Sequence, residues 1–181
     1  MKARIVIVSG ACGTGKTSIA RLLAENSSCA RAAHLHTDDF YQYIRKGYTA
    51  PWLDESGDQN ETVIDAVVAS AKKFSEGGYE VYVDGVIGPW FLAPWTETAR
   101  EGIDIRYIVL RPDEQTTVSR ALKREQRDFF PLSRDAIIDV WQSLSNLGKY
   151  EPNVIDTTAQ TIEESAACIQ KMLQEGAFRI L

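Results

Sequence analysis

The chain opens with an unbroken apolar run, RIVIVS at residues 4–9, which does not alternate with polar positions. A continuous β-branched run of this kind predicts a strand buried on both faces of a parallel sheet. A glycine-rich segment follows, and Ile19, Ala20, Leu22 and Leu23 then recur at roughly helical spacing within residues 17–26. The order is strand, glycine loop, helix. AHLHT at 33–37 reads as a short second strand. From Asn60, a helix carries Ile64, Val67, Val68, Ala71 and Phe74 at helical period and ends at Gly77 and Gly78. EVYVD at 80–84 predicts a third strand, IDIRYIVL at 103–110 a fourth ended by Arg111 and Pro112, and residues 114–126 a helix. Val154 and Ile155 mark a short fifth strand. Thr161 and Glu164 form a T-x-x-E capping box ahead of Ile162, Ala166, Ile169 and Leu173, a final amphipathic helix that Gly176 closes.

Strands alternating with helices imply right-handed crossovers, a parallel sheet and helices on both faces. The expected fold class is therefore α/β: a three-layer sandwich around a five-stranded parallel sheet, in one domain over residues 1–181. With 44% hydrophobic and 25% charged residues, such a domain can bury a core without metal or disulfide support. Its three cysteines, Cys12, Cys29 and Cys168, show neither a CxxC pair nor Cys/His ligand spacing, so no zinc site is expected. The formal charge of −5 counts against a general binder of nucleic acid or of a membrane surface, because both need a concentrated basic face. The first apolar run is too short for a signal segment or a membrane span, which makes a cytoplasmic location the expectation.

Gly10, Ala11, Cys12, Gly13, Thr14, Gly15, Lys16 and Thr17 satisfy G-x-x-x-x-G-K-[ST], with Ser18 next in the helix. In such a loop the glycines let backbone amides point inward at a phosphate. Lys16 then reaches the β and γ phosphates, and the Thr17 hydroxyl meets Mg²⁺. The positive end of the following helix dipole acts on the same anion. Nucleoside triphosphate binding is the direct implication. Cys12 has two readings, a tolerated small loop residue or a redox switch.

The second strand closes on His36, Thr37, Asp38, Asp39, Phe40 and Tyr41, about twenty residues past the loop. Carboxyl ends of parallel strands line the ligand crevice, so these acids are expected to face the γ-phosphate. One can orient and deprotonate an attacking hydroxyl or hold a magnesium water. Neighbours in an extended segment point to opposite sides, so the two acids are expected to differ in role, with helix capping open to either. Asp84, at the end of the third strand, has two readings: an acceptor or magnesium-water ligand, or a turn residue before Gly85. His34 and His36 share a strand face without a third ligand and read as structural.

The pairing of GACGTGKT with TDDFY resembles the small P-loop kinases of the uridine kinase and nicotinamide riboside kinase group. That resemblance implies a nucleoside-monophosphate-kinase-like P-loop fold with Asp38, which opens the D-x-F-Y-like motif, as catalytic base. Later segments are similar to the chloramphenicol phosphotransferase-like, gluconate kinase-like and zeta-toxin-like kinases. The matching positions are residues 81–85, 110–112, 120–127 and 154–157. Similar kinases let the adenine rest near the loop after the last strand, and the guanine-specific N-K-x-D motif is absent here. Val86, Ile87, Gly88 and Pro89 after the D-G pair depart from adenylate kinases, and Asp38 with Asp39 is not the D-x-D of shikimate kinases.

Arg120, Arg124 and Arg127 are spaced i, i+4, i+7 and share a helix face. Between Arg120 and Arg134, five cations face two acids, a local charge of +3 in a chain of −5. Anions between them relieve their repulsion, which predicts a small helical lid over residues 112–134 whose Arg120 and Arg124 close on the transferring phosphoryl group. The alternative is a solvated face paired with Glu125 and Asp128. The aromatic run 88–95, with Trp90, and Phe40, Tyr41, Tyr43, Tyr48 and Trp52 either wall an acceptor pocket or pack as core. The expected activity is ATP-dependent, Mg²⁺-requiring transfer of the γ-phosphate to a hydroxyl of a small metabolite or antibiotic-like molecule, by a monomer or homodimer. In it Asp38, Asp39, Phe40, Tyr41, Asp84 and Trp90 face the acceptor. A nucleotide switch without acceptor and a nucleic-acid 5′-hydroxyl kinase are the rival readings.

Overall fold

The computed structural model describes residues 2–124 and 133–181. Five strands, β1 (Ile5–Gly10), β2 (Ala32–His36), β3 (Glu80–Gly85), β4 (Ile105–Leu110) and β5 (Val154–Ile155), pair in the order β2-β3-β1-β4-β5, every pairing parallel. The helices are α1 (Lys16–Glu25), α2 (Thr37–Gln42), α3 (Gly57–Glu76), α4 (Ala93–Arg100), α5 (Glu114–Arg124), α6 (Arg134–Ser143) and α7 (Ile162–Gln174). The five strands fall within two residues of their sequence-based bounds.

Alternation along each strand divides the core into two faces. Ile5, Ile7, Val81, Val83, Ile105 and Tyr107 pack with Val63, Ile64, Val67 and Ala71 of α3 and Trp95 of α4. Val6, Val8, Tyr82 and Ile108 pack with Ile19, Ala20 and Leu23 of α1 and Ala166, Ile169 and Leu173 of α7. β1, β3 and β4 are buried along their whole length, in keeping with their largely apolar sequences, whereas β2 at the sheet edge is only half-buried. The capping box of α7 forms as its sequence predicts: Thr161 Oγ1 accepts from the Glu164 amide at 3.1 Å, and Glu164 Oε2 accepts from the Thr161 amide at 2.8 Å.

Three helices were not visible in the periodicity, and the first changes the site. α2 begins at Thr37, so Asp38 and Asp39 lie in the first turn of a helix and not in an extended segment. They diverge by about 100° around the helix axis, and their charge favours the N-terminal end of the dipole. The helix starts directly against β3. A Cβ at Gly85 would stand 2.1 Å from Thr37 Oγ1, so only glycine lets the two elements meet there. α4 takes up part of the aromatic run, and Trp95 is completely buried core and no pocket wall. α6 packs Ile137 against Val118 and Ala121 of α5.

Candidate active site

The loop between β1 and α1 takes its shape from left-handed glycines. Gly13 and Gly15 both have φ of +85°, a conformation that costs an L side chain about 1–2 kcal/mol. Gly13 is also pressed onto α5, where a Cβ would stand 2.5 Å from Thr117 O and 2.6 Å from Ala121 N. Gly15 faces the end of the Ile162 side chain of α7, whose Cδ1 would lie 2.8 Å from a Cβ there. Thr14 Oγ1 donates to Ala11 O at 2.9 Å and pins the turn from within. Lys16, the first residue of α1, is buried with Nζ 3.4 Å from Ala11 O, a long bond that leaves most of its donor capacity directed into the loop. Cys12 lies against the Val118, Ala121 and Ile137 cluster, and Ser18 is exposed on α1.

The sheet register brings the acids to this loop. Asp84 stands beside Val8 of β1 on one side and His36 of β2 on the other, at the carboxyl ends of all three strands. Its side chain is fully buried and its oxygens are occupied. Thr17 Oγ1 donates to Oδ2 at 2.6 Å, His34 Nε2 lies 2.6 Å from Oδ1, and His36 Nδ1 lies 3.0 Å from Oδ2. His36 Nε2 faces the other way, 3.3 Å from Asp38 Oδ2. Both His36 contacts are at ion-pair distance without the alignment of a hydrogen bond, and Nδ1 has no aligned acceptor. Asp38 keeps 47% of its side chain open, whereas Asp39 points to solvent with no described partner. The neighbouring acids are thus separated by the turn of α2.

Charge follows this arrangement. Burial alone pulls the His36 imidazole down, but Asp38 and Asp84 on either side outweigh it and hold its pKa at about 10. Burial pushes Asp84 up, and the contacts from His34, His36 and Thr17 reverse this and hold it well below the usual carboxylate range. Asp38 is likewise raised by burial and lowered, on balance, by His36 and by the Lys16 ammonium. The pH dependence of folding follows in sign. The His36 contribution is complete below its ordinary pKa of 6.5 and is lost as pH rises through about 10. Those of Asp38 and Asp84 are present above 3.8 and are lost as pH falls through their lowered values. In nucleotide-free and metal-free buffer, the difference in thermal midpoint between wild type and His36→Gln is expected to shrink steadily from pH 6 to pH 10. A difference constant across that range counts against a charged imidazole.

The donor set fits Mg²⁺. Among the described residues no group of three or more His, Cys, Asp or Glu side chains is arranged to hold a metal by itself. Thr17 and Asp84 offer one hydroxyl and one ionised carboxylate, the small protein contribution typical where phosphate oxygens and waters complete the shell. Because His34 and His36 already engage the carboxylate, Asp84 suits contact through a water.

On the opposite side of the loop a cleft of about 420 Å³ opens, lined by Gly13, Thr14, Gly15, Arg120, Thr157 and Gln160 among others. Arg120 does not reach over the β1–β3 ends. Its guanidinium donates to Thr157 O at 3.3 Å and Thr158 O at 3.1 Å, on the loop between β5 and α7. Arg120 thus flanks the cleft. Thr117, Val118 and Ala121 of α5 are buried, Val118 and Ala121 in a cluster with Ile137 of α6 and Cys12 of the loop. The structure describes only the backbone of Arg124, which ends α5, and Arg127 lies outside the described residues.

The remaining predicted residues are distributed unevenly. Tyr41 is buried between α2 and α3, its hydroxyl donating to Asn60 Oδ1 at 2.9 Å, which places it in the core. Phe40 packs edge-on to Tyr43. Trp90 is 52% exposed, its ring laid on Gly88, where a Cβ would be 2.3 Å away. The residue sequence reasoning passed over is His36. Its signal was an H-x-H pair two residues ahead of an acid, but the partner, Asp84, becomes apparent only once β2 is known to pair with β3.

A family model described as AAA domain (AAA_18) matches residues 6–156. The chain belongs to the AAA_18 family. No curated protein matches it in sequence. Among solved structures, this AAA_18 chain resembles the Mycobacterium tuberculosis APS kinase in complex with AMPPNP and APS, with a TM-score of 0.68 and 17% identity over 96% of this chain and 98% of that one. A gluconokinase from Sinorhizobium meliloti 1021 gives 0.64 and 18% over 97% and 98%. A chain of the Pnkp1/Rnl/Hen1 RNA repair complex gives 0.62 and 24%, over 78% of this chain but 44% of its own length. The AAA_18 chain therefore has the P-loop kinase fold. Among its described residues, no helix is long and apolar enough to cross a membrane.

Proposed function

We propose that this AAA_18 protein is a small-molecule kinase that transfers the γ-phosphate of ATP to a hydroxyl of a metabolite or antibiotic-like acceptor. The observation that carries the reading is the convergence of Lys16, the Thr17–Asp84 pair and the half-open Asp38 at the carboxyl ends of β1, β3 and β2. A nucleotide switch does not require a carboxylate open to solvent beside the phosphate lysine.

In this reading the loop amides and Lys16 bind the β and γ phosphates, and Thr17 with Asp84 hold Mg²⁺, which neutralises charge on the phosphates when bound. Asp38 accepts the proton of the acceptor hydroxyl, oriented for in-line attack, and its lowered pKa keeps it ionised at neutral pH. Arg120 lies against the nucleobase in the cleft, and Arg124 neutralises the transferring group. Trp90 and Phe40 face the acceptor.

The test is ADP release and product phosphorylation across a panel of hydroxyl compounds with ATP and magnesium, led by thermal-shift hits, because ligand binding to the native state raises its stability. ATP turnover that no hydroxyl compound stimulates would sink the reading. Transfer to a nucleic-acid 5′ hydroxyl is the second reading, prompted by the likeness to the RNA repair complex chain, and a labelled oligonucleotide separates the two. Arg120→Ala is expected to weaken ATP binding roughly tenfold, the loss of a partly desolvated guanidinium–π contact of about 1–2 kcal/mol. Calorimetric titration reads this directly, and unchanged affinity moves Arg120 out of the base site.

A further inference from the structure

His36 is the element of the site that the proposed chemistry leaves unused. Its ring is four-fifths buried and stands between two carboxylates, 3.3 Å from Asp38 and 3.0 Å from Asp84. The two acids come from different elements, α2 and β3, and nothing else described bridges them. Asp84 repels the Asp38 charge and Lys16 attracts it, while the hydrogen bond that Asp38 receives from the adjacent Thr37 Oγ1 is long, at 3.5 Å; without the ring between the two acids, Asp38 can swing toward the solvent it already half faces. Asp84 cannot yield, because His34 and Thr17 fix it at 2.6 Å each. The position of Asp38 therefore depends on what occupies the place of His36.

We infer that His36 is a positioning residue that holds the Asp38 carboxylate in reacting geometry and ties it to the Thr17–Asp84 pair at the nucleotide end. This deepens the kinase reading and rests on it. The side chain touches neither nucleotide nor acceptor; it acts through Asp38. The same connection spans the site: any shift of Asp84 or Thr17 when the phosphates are seated is transmitted across one imidazole to the base. Sequence proximity does not create this path, since His36 and Asp84 meet only by strand register.

The test uses the full chain with two substitutions. His36→Leu fills the site without a polar contact, and His36→Gln keeps an N–H donor near the place of Nε2. His36→Leu is expected to lower kcat by about 10–100-fold, the usual effect of losing a supporting partner, with the ATP KM and ATP affinity near wild type. His36→Gln is expected to recover a good part of that loss. In Asp38→Asn the further change His36→Leu is expected to cost nothing more, because the group it positions is already disabled. Additive losses in the double variant overturn the inference, as does a joint fall in ATP affinity and kcat that Gln fails to rescue. A readout without turnover keeps this separate from the kinase reading. Carbodiimide labelling of Asp38 in the metal-free folded protein, followed by mass spectrometry, is expected to rise several-fold in His36→Leu. Labelling equal to wild type refutes positioning whatever the acceptor is, whereas increased labelling with no acceptor found leaves positioning standing and removes the kinase.

Discussion

Asp38→Asn is expected to lower phosphoryl transfer by a factor on the order of 10²–10⁴, the range that a positioned general base supplies, while ATP binding changes little. The asymmetry is what the geometry demands. Asparagine preserves the size of the side chain and its contact with His36, but it cannot accept a proton from the acceptor hydroxyl. The phosphate contacts belong to a different element, the loop and Lys16; the substitution removes none of these groups and takes from Lys16 only the attraction of a neighbouring charge. Asp39→Asn is the matched control for charge. It sits one residue away, faces solvent, and has no described partner in the cluster, so its effect is expected to be small. Steady-state turnover and calorimetric ATP affinity on the two variants give four numbers, and only Asp38→Asn turnover is expected to move strongly. Full activity in Asp38→Asn would remove the base from the mechanism.

Gly13→Ala is expected to abolish useful nucleotide binding and to lower the thermal midpoint by roughly 10 °C. Two costs combine at this position. The residue occupies φ +85°, which strains any L side chain, and the added methyl would sit 2.5 Å from the Thr117 carbonyl oxygen. Both neighbours of the methyl are backbone atoms of α5, so no side-chain rotation relieves the contact, and either the loop or the helix has to move. Strain and overpacking each cost about 1–3 kcal/mol, and for a domain of this size each kcal/mol lowers the midpoint by about 2–4 °C. Differential scanning fluorimetry with and without ATP reads both effects. A variant that keeps its midpoint and its ATP response would show that α5 is not packed against the phosphate loop as described.

Both predictions depend on features that differ in how far they were readable beforehand. The phosphate loop, the five strands and the last helix with its capping box follow from local pattern: motif, continuous apolar runs and the T-x-x-E spacing. The acids were legible as residues but not as geometry. Read as the end of a strand, Asp38 and Asp39 pointed to opposite sides; placed in the first turn of α2, they diverge by helical rotation, and only Asp38 meets His36. That helix is six residues long, too short for a hydrophobic period to show, and it is stabilised by packing on α3, which includes the Tyr41–Asn60 hydrogen bond. Arg120 shows the same limit. Its spacing from Arg124 was clear, yet its partners are carbonyl oxygens 37 and 38 residues away, which no local pattern reveals.

The amino-acid order by itself determined the fold class, the strand sequence and the triphosphate loop, because each rests on interactions between residues close in the chain. Pairing across the sheet decided the rest. Parallel strands adjacent in space are distant in sequence, so the meeting of Asp84 with Thr17, His34 and His36, and of His36 with Asp38, depends on register and burial that no local pattern encodes. The charged imidazole, held by two carboxylates against the opposing effect of burial, is a property of the packed structure alone.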